Sequence, residues 1–270
     1  MGPTVVIGTK NFPEQFILGE LYKQALQAKG FHVSYKENIG STELIQTSLT
    51  SGKINFYPEY TGVIVQDVFH KKSPKTATAT FALAKRLEAA KGYTVLAHTP
   101  FYDTDVLAVT KGTAAKYGLK TISDLKKVGS FKLGGFPECK TRSTCFIGYT
   151  KTYGLSKASF LPLAGISAYA ALDAGKVLAA DVFSTDPPLL KPSKYVVLTD
   201  PKHVTGFQNV APIVKASVVA GLGSKFTSVV NAVSSKLTLP AIIAMNKAVE
   251  VNKADPAVVA KAFLKANHII

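Results

Sequence analysis

The sequence predicts an α/β protein of two lobes, each with a central sheet flanked by helices. Three observations carry that expectation. Through the first hundred residues, short β-branched runs alternate with helical stretches of about ten residues or more, and strands joined by such crossovers pair in parallel. Beyond a strand at 105–110 the alternation starts again. The chain has 270 residues, 47% of them apolar, enough to bury a core without staples and too apolar for a disordered chain.

The elements follow in order. Thr4 to Gly8 is a short β-branched strand. Pro13 to Lys29 is a helix, because Ile17, Leu18, Leu21, Tyr22 and Ala25 recur at helical spacing. Asn11 is placed to cap it, Glu14 stands three residues later, and Gly30 ends it. Phe31 to Tyr35 is a strand, Ser41 caps a helix that ends at Gly52, and Ile54 to Tyr57 is the next strand. A helix over about Thr76 to Lys91 stops at Gly92, with Tyr93 to Ala97 as strand.

In the second half Asp105 to Thr110 is a strand, Ser123-Asp124-Leu125 opens a short helix, and Phe131 to Leu133 is a strand. A helix spans about Ser143 to Tyr153; strands at Phe160 to Leu163 and Val177 to Phe183 flank a helix from Ser167 to Ala174. Gly40-Ser41, a helix, Gly52-Lys53 and a strand are echoed by Gly165, a helix, Gly175-Lys176 and a strand, which favours two lobes of similar build. Asn209 to Lys215 is the last strand, and Ser224 to Asn267 is helical, with Pro240 and Pro256 near helix starts. A strand followed only by helices implies a return to the first lobe. The expected division is 1–106 with 212–270 against 107–211, joined by a two-stranded hinge, with a ligand cleft between the lobes.

Composition bounds the function. With 32 Lys+Arg against 17 Asp+Glu the net charge is +15, which nominates a polyanion or an anionic surface as partner. Yet the lysines are spread singly, and the densest clusters are the pairs Lys71-Lys72 and Lys126-Lys127. A nucleic-acid site shows a concentrated basic stripe with aromatics, so no nucleic-acid partner is expected. No run of about 18 apolar residues appears. Met1-Gly2-Pro3 runs straight into the first strand, as in a cytosolic protein or one whose leader was removed and an initiator added.

Enzyme motifs are missing: no G-x-S-x-G elbow, P-loop or H-E-x-x-H occurs. The five histidines are scattered, none at metal-ligand spacing with another or with a cysteine. No metal, cofactor or catalytic residue is therefore expected. Cys139 and Cys145 bracket Lys-Thr-Arg-Ser-Thr. A local disulfide, implying an oxidising compartment, is favoured over two reduced thiols.

Several segments carry a resemblance. Gly8-Thr9-Lys10-Asn11-Phe12-Pro13-Glu14-Gln15 is followed by Ile17-Leu18-Gly19-Glu20. Then come Asn38-Ile39-Gly40-Ser41-Thr42-Glu43, Tyr57-Pro58-Glu59-Tyr60-Thr61-Gly62 and Asp103 to Val109. Pro137-Glu138-Cys139-Lys140-Thr141-Arg142, Tyr153-Gly154-Leu155, Ser184-Thr185-Asp186 and Asn209 to Pro212 complete the series. Together they resemble the solute-binding proteins of ABC importers for glycine betaine, choline and other compatible solutes. The resemblance implies a type II periplasmic-binding-protein fold. It implies extracytoplasmic capture of a small solute and delivery to a membrane permease, by a monomer that in many members is lipid-anchored.

Such a ligand also dictates chemistry. A quaternary ammonium donates no hydrogen bond and is held by aromatic faces; the candidates are Tyr60, Tyr102, Phe183 and Phe207. A ligand carboxylate needs a charged fork, which Arg142 supplies, with Lys10 assisting. Asn11, Gln15, Thr61, Asp103 and Asn209 are candidate polar contacts. Each has a structural alternative: Tyr60 ends a strand, Tyr102 or Phe101 faces the core, Phe183 is core, Arg142 pairs with Glu138, Gln15 braces the first helix, and Asp103 binds neighbouring backbone. The sequence departs from the family where Tyr is usual and Phe183 stands, at Pro187-Pro188, and at Thr205-Gly206-Phe207-Gln208-Asn209. These departures favour a second reading, the same fold binding an amino acid or an aromatic or thiolated betaine.

Overall fold

A computed structural model describes residues 2–190 and 193–270; Met1, on which the added-initiator reading rests, lies outside them. The chain runs β1 (Val5–Lys10), α1 (Pro13–Ala28), β2 (Val33–Gly40), α2 (Thr42–Thr50), β3 (Phe56–Tyr60), a short α3 (Thr61–Val63), α4 (Ala77–Ala89) and β4 (Tyr93–Val95). It continues with β5 (Asp105–Thr110), α5 (Lys111–Tyr117), β6 (Phe131–Gly135), α6 (Phe146–Tyr153), β7 (Ala158–Pro162), α7 (Ala168–Asp173), β8 (Ala179–Phe183) and β9 (Tyr195–Leu198). It ends with β10 (Val210–Lys215), α8 (Ala216–Lys236), α9 (Leu239–Glu250) and α10 (Pro256–Ala266). Met1–Tyr102 with Phe207–Ile270 make one compact unit and Asp103–Gly206 the other.

The first unit holds a five-stranded sheet in the order β2-β1-β3-β10-β4, the second a sheet in the order β7-β6-β8-β5-β9. β1 pairs in parallel with β2 and β3, and β6 with β7 and β8, as the crossover helices require. β10 and β5 run antiparallel to their neighbours, so neither sheet is purely parallel. The chain changes unit at Tyr102–Asp103 and Gly206–Phe207, a few residues before the strands in which the sequence placed the crossings. β5 pairs within the second unit from Asp105 to Thr110, and β10 within the first from Val210 to Lys215. The sequence echo has a counterpart: β3 and β8 each stand third in their sheet, beside the antiparallel strand.

α1 buries Ile17, Leu18, Leu21, Tyr22 and Ala25 completely, the five residues its periodicity selects. Its start differs from expectation. Phe12, in extended conformation, occupies the cap position, no side chain caps the helix, and Asn11 is exposed. Pro13 at the first position needs no donor satisfied, and Glu14 turns inward to Tyr60 and Asn246. Ser41 holds the cap position of α2, but its hydroxyl donates to Glu43 Oε2 at 2.5 Å. True side-chain caps occur at Thr76, Thr110, Ser167, Thr238 and Asp255.

Outside the sequence expectation lie α5, β9, α3 with the π-helical turn Ile64–Val68 that continues it, and the 3-10 turns Pro137–Thr141 and Pro187–Leu190. β2 also runs on to Gly40, through polar residues, because Lys10 pairs with Gly40. α8 is, among the described residues, the one helix long and apolar enough to cross a membrane. Gly223 (φ 69°) breaks it, and Val218, Phe226, Val229, Val230 and Val233 turn into the core of the first unit.

Gly148 in α6 is a position with no room. A Cβ there would stand 1.9 Å from the Ser143 carbonyl oxygen and 2.7 Å from Val204 Cγ1. Gly148→Ala is expected to lose about 1–3 kcal/mol of stability, the usual penalty of overpacking, as a lower urea midpoint at unchanged slope. An unchanged midpoint would show that α6 shifts freely.

Candidate functional site

In both units the candidate residues gather where parallel strands end. In the first, Lys10 closes β1 and Tyr60 closes β3. Lys10 is 5% exposed, and its Nζ lies 2.5 Å from Oε1 of the fully buried Glu59 and 5.0 Å from the centre of the Tyr60 ring. Glu59 Oε1 also accepts from the Tyr60 amide at 2.7 Å and its Oε2 from the Tyr57 hydroxyl at 3.2 Å. Tyr60 is buried; its ring stacks on Phe12 at 6.2 Å and its hydroxyl donates to Glu14 Oε1 at 2.9 Å.

The polar candidates of this unit are committed to its backbone. Gln15 Oε1 accepts from the Lys10 amide and its Nε2 donates to the Pro58 carbonyl, bracing α1 against β1 and β3. The Thr61 hydroxyl donates to the Phe207 carbonyl at 2.9 Å. Asn209 Nδ2 donates to the carbonyls of Thr99 and Phe101, both at 3.1 Å. Asn209 also bridges to Tyr102, whose side is open, at 56% exposure, while Phe101 is core. Tyr60, Thr61, Tyr102, Phe207 and Asn209 are thus drawn together, with Lys10 and Gln15 beside them. Asn11 stays exposed in the turn before α1.

In the second unit the candidates lie about the ends of β6 and β8. Phe183 closes β8, half-buried, with its ring 6.0 Å from that of Phe136, which is 39% exposed. Asp103 is buried, and its Oδ1 accepts from the Ser184 hydroxyl and the Thr185 amide, both at 3.3 Å. Cys139 and Cys145 form a disulfide, with 5.2 Å between Cα atoms, so the local bridge holds rather than two thiols. Arg142 sits half-buried between them in sequence.

The bridge faces a buried carboxyl. Asp181 is 6% exposed, with an oxygen within 4.8 Å of both sulfurs. With the sulfurs bonded to each other this trio offers a metal no thiolate. Burial raises the Asp181 carboxyl well above the usual range, Asp105 adds to the rise, and the Arg142 charge opposes it. Asp186 is pushed up to about 6 by burial, against donors from the Phe183 amide and the Tyr169 hydroxyl. The result is an aromatic pair on an acid-rich strand end, with one arginine nearby.

Residues 3–266 match the family described as the substrate-binding domain of ABC-type glycine betaine transport systems. The chain belongs to this family. A glycine-betaine-binding protein of Pseudomonas aeruginosa is 30% identical over 279 residues, covering 99% of this chain and 89% of that one. The glycine betaine-binding protein YehZ of Escherichia coli is 30% identical over 233 residues, 80% of this chain and 75% of that one. An ergothioneine transport permease/binding protein of Helicobacter pylori is 28% identical, over 97% of this chain and 47% of that protein. A solved glycine betaine/carnitine/choline ABC transporter structure superposes with TM-score 0.78 at 22% identity, over 98% of this chain and 99% of that one. The fold is that of the type II periplasmic binding proteins.

For this solute-binding protein, sequence reasoning passed over Phe12, Glu14, Phe136 and Asp181. Phe12 and Glu14 stood inside a recognised segment, between Asn11 and Gln15. Phe136 directly precedes Pro137-Glu138, and an aromatic residue at the mouth of a strand was the available signal. Asp181 gave none, since one acid in an otherwise apolar strand reads as a solvated position.

Proposed function

We propose that the protein captures a small quaternary-amine or zwitterionic solute of the glycine betaine or choline type outside the cytoplasm, as a monomer, and delivers it to the permease of an ABC importer. The observation that carries this reading is the Phe136–Phe183 pair at the ends of β6 and β8. Aromatic faces attract a cation that cannot hydrogen-bond, at about 0.5–2 kcal/mol each depending on desolvation. The net charge of +15 is screened beyond about 8–10 Å at ordinary salt and does not set the sign inside a site. Arg142 is the group suited to a ligand carboxylate. Of the candidate aromatics in the first unit, Tyr102 and Phe207 are not fully buried. Lys10, Gln15, Thr61 and Asn209 hold the strand end that carries Tyr60. The disulfide supports an oxidising compartment.

Calorimetric titration with choline, glycine betaine, carnitine and proline betaine tests the proposal. At least one is expected to bind with a 1:1 stoichiometry and to be recovered unchanged, and Phe183→Leu is expected to weaken that solute about tenfold, the scale of one lost cation–π contact. Silence across the panel would remove the quaternary-amine claim. The similarity to the ergothioneine-binding chain, with Phe183 where Tyr is usual, supports a second reading, an aromatic or thiolated betaine. Saturable binding of ergothioneine, with none of the four solutes, would select it.

A further inference from the structure

The Cys139–Cys145 bridge spans a sequence separation of 6 and has Arg142 at its midpoint. Both cysteines are buried, 3% and 2% exposed. Backbone hydrogen bonds step round the loop: Cys139 to the Phe136 carbonyl, Arg142 to that of Cys139, Cys145 to that of Arg142, and Tyr149 to that of Cys145. The first ends on the residue that pairs with Phe183. The bridge also rests on the sheet. A Cβ on Gly135, the last residue of β6, would stand 3.2 Å from Cys139 Sγ and 3.1 Å from Asp181 Cβ on β8. Two residues beyond Asp181 is Phe183. The link thus closes the Arg142 loop on itself, and its Cys139 end packs beside the strand that carries Phe183.

Arg142 and the aromatic pair differ in what they demand. A bidentate guanidinium–carboxylate contact needs two parallel hydrogen bonds in one plane, whereas a cation over a ring tolerates displacement. Freeing a loop multiplies its conformations and dilutes the one that fits. We propose that the disulfide is a positioning element for Arg142: with the bridge closed the site favours quaternary amines that carry a carboxylate, and with it open this preference is lost while the ammonium site survives. The inference rests on the functional reading above.

The experiment is a calorimetric comparison of glycine betaine and choline, which share the trimethylammonium group and differ in the carboxylate. The proteins are wild type, Cys139→Ala/Cys145→Ala, Arg142→Ala, and the triple variant. Removing the bridge is expected to weaken glycine betaine at least tenfold and choline no more than about threefold. In the Arg142→Ala background the same removal is expected to change neither by more than about threefold. Wild type held in dithiothreitol provides the second route should the double variant not fold. The reagent's two thiols give two electrons and two protons to the S–S bond and close to a cyclic disulfide, leaving two cysteine thiols. Equal losses for both solutes, a tenfold loss that persists without Arg142, or wild type that binds choline alone would overturn the inference and leave the functional reading standing. Wild type that binds no quaternary amine overturns both.

Discussion

Lys10→Met is expected to destabilise the first unit by about 3–5 kcal/mol, the range for removing one partner of a buried ion pair. Lys10 and Glu59 are 5% and 0% exposed, and their atoms meet at 2.5 Å. Without the ammonium, the Glu59 carboxylate keeps only the Tyr57 hydroxyl and the Tyr60 amide, too little to replace water around a charge. For a unit of this size the melting point falls by roughly 6–20 °C. Scanning calorimetry of wild type and variant measures it. Lys10→Met/Glu59→Gln is expected to recover most of the loss, since the amide oxygen still accepts and no charge is buried. A single variant within about 1 kcal/mol of wild type would show that water reaches the pair. The same pair orients Tyr60, so the variant also tests how tightly the end of β3 is held.

The sequence made the regular parts legible because burial there follows period. In α1 the five residues at helical spacing have no exposure; the caps were less legible, since Asn11 and Ser41 do not cap while Thr76 and Asp255 do. Context decided what stayed hidden. β2 extends over Lys36 to Gly40 because β1 offers it a partner, not because those residues favour strand. β9 is four residues long at a sheet edge, too short for a period to show. In the candidate site, aromatic residues and Arg142 were legible as residue types that suit a zwitterion. The commitments of Thr61 and Asn209 to backbone were not, since those bonds join residues up to 146 positions apart, whereas the bracing role of Gln15 was one of two readings its sequence position allowed. Asp181 and Glu88 are acids whose burial only tertiary packing creates.

Glu88 leads to the second large effect. It lies on α4, 2% exposed, and its Oε1 has no hydrogen-bond partner among the described residues. Burial raises its carboxyl from the ordinary 4.5 to about 7, with the Glu59 charge adding to the rise. Below about pH 4.5 the acid is protonated folded or unfolded, and the shift has no effect. Between about pH 4.5 and 7 the unfolded chain has released the proton and the folded chain has kept it, so stability falls as pH rises. Above about 7 both forms are ionised and the full difference stands, about 3 kcal/mol at 1.36 kcal/mol per pH unit. Glu88→Gln removes the titration. It is expected to match wild type near pH 4 and to exceed it at pH 8 by up to about 3 kcal/mol in urea unfolding. Asp181 and Asp186 are raised in the same direction in the second unit, so the quantity to read is the difference between wild type and variant. An equal difference at both pH values would mean that Glu88 acts by packing and not by charge. A variant less stable at pH 8 would mean that the ionised carboxylate finds solvent the fold does not show. Adding Glu59→Gln is expected to shrink the pH-dependent part, because it removes the charge that supplies the second contribution to the rise.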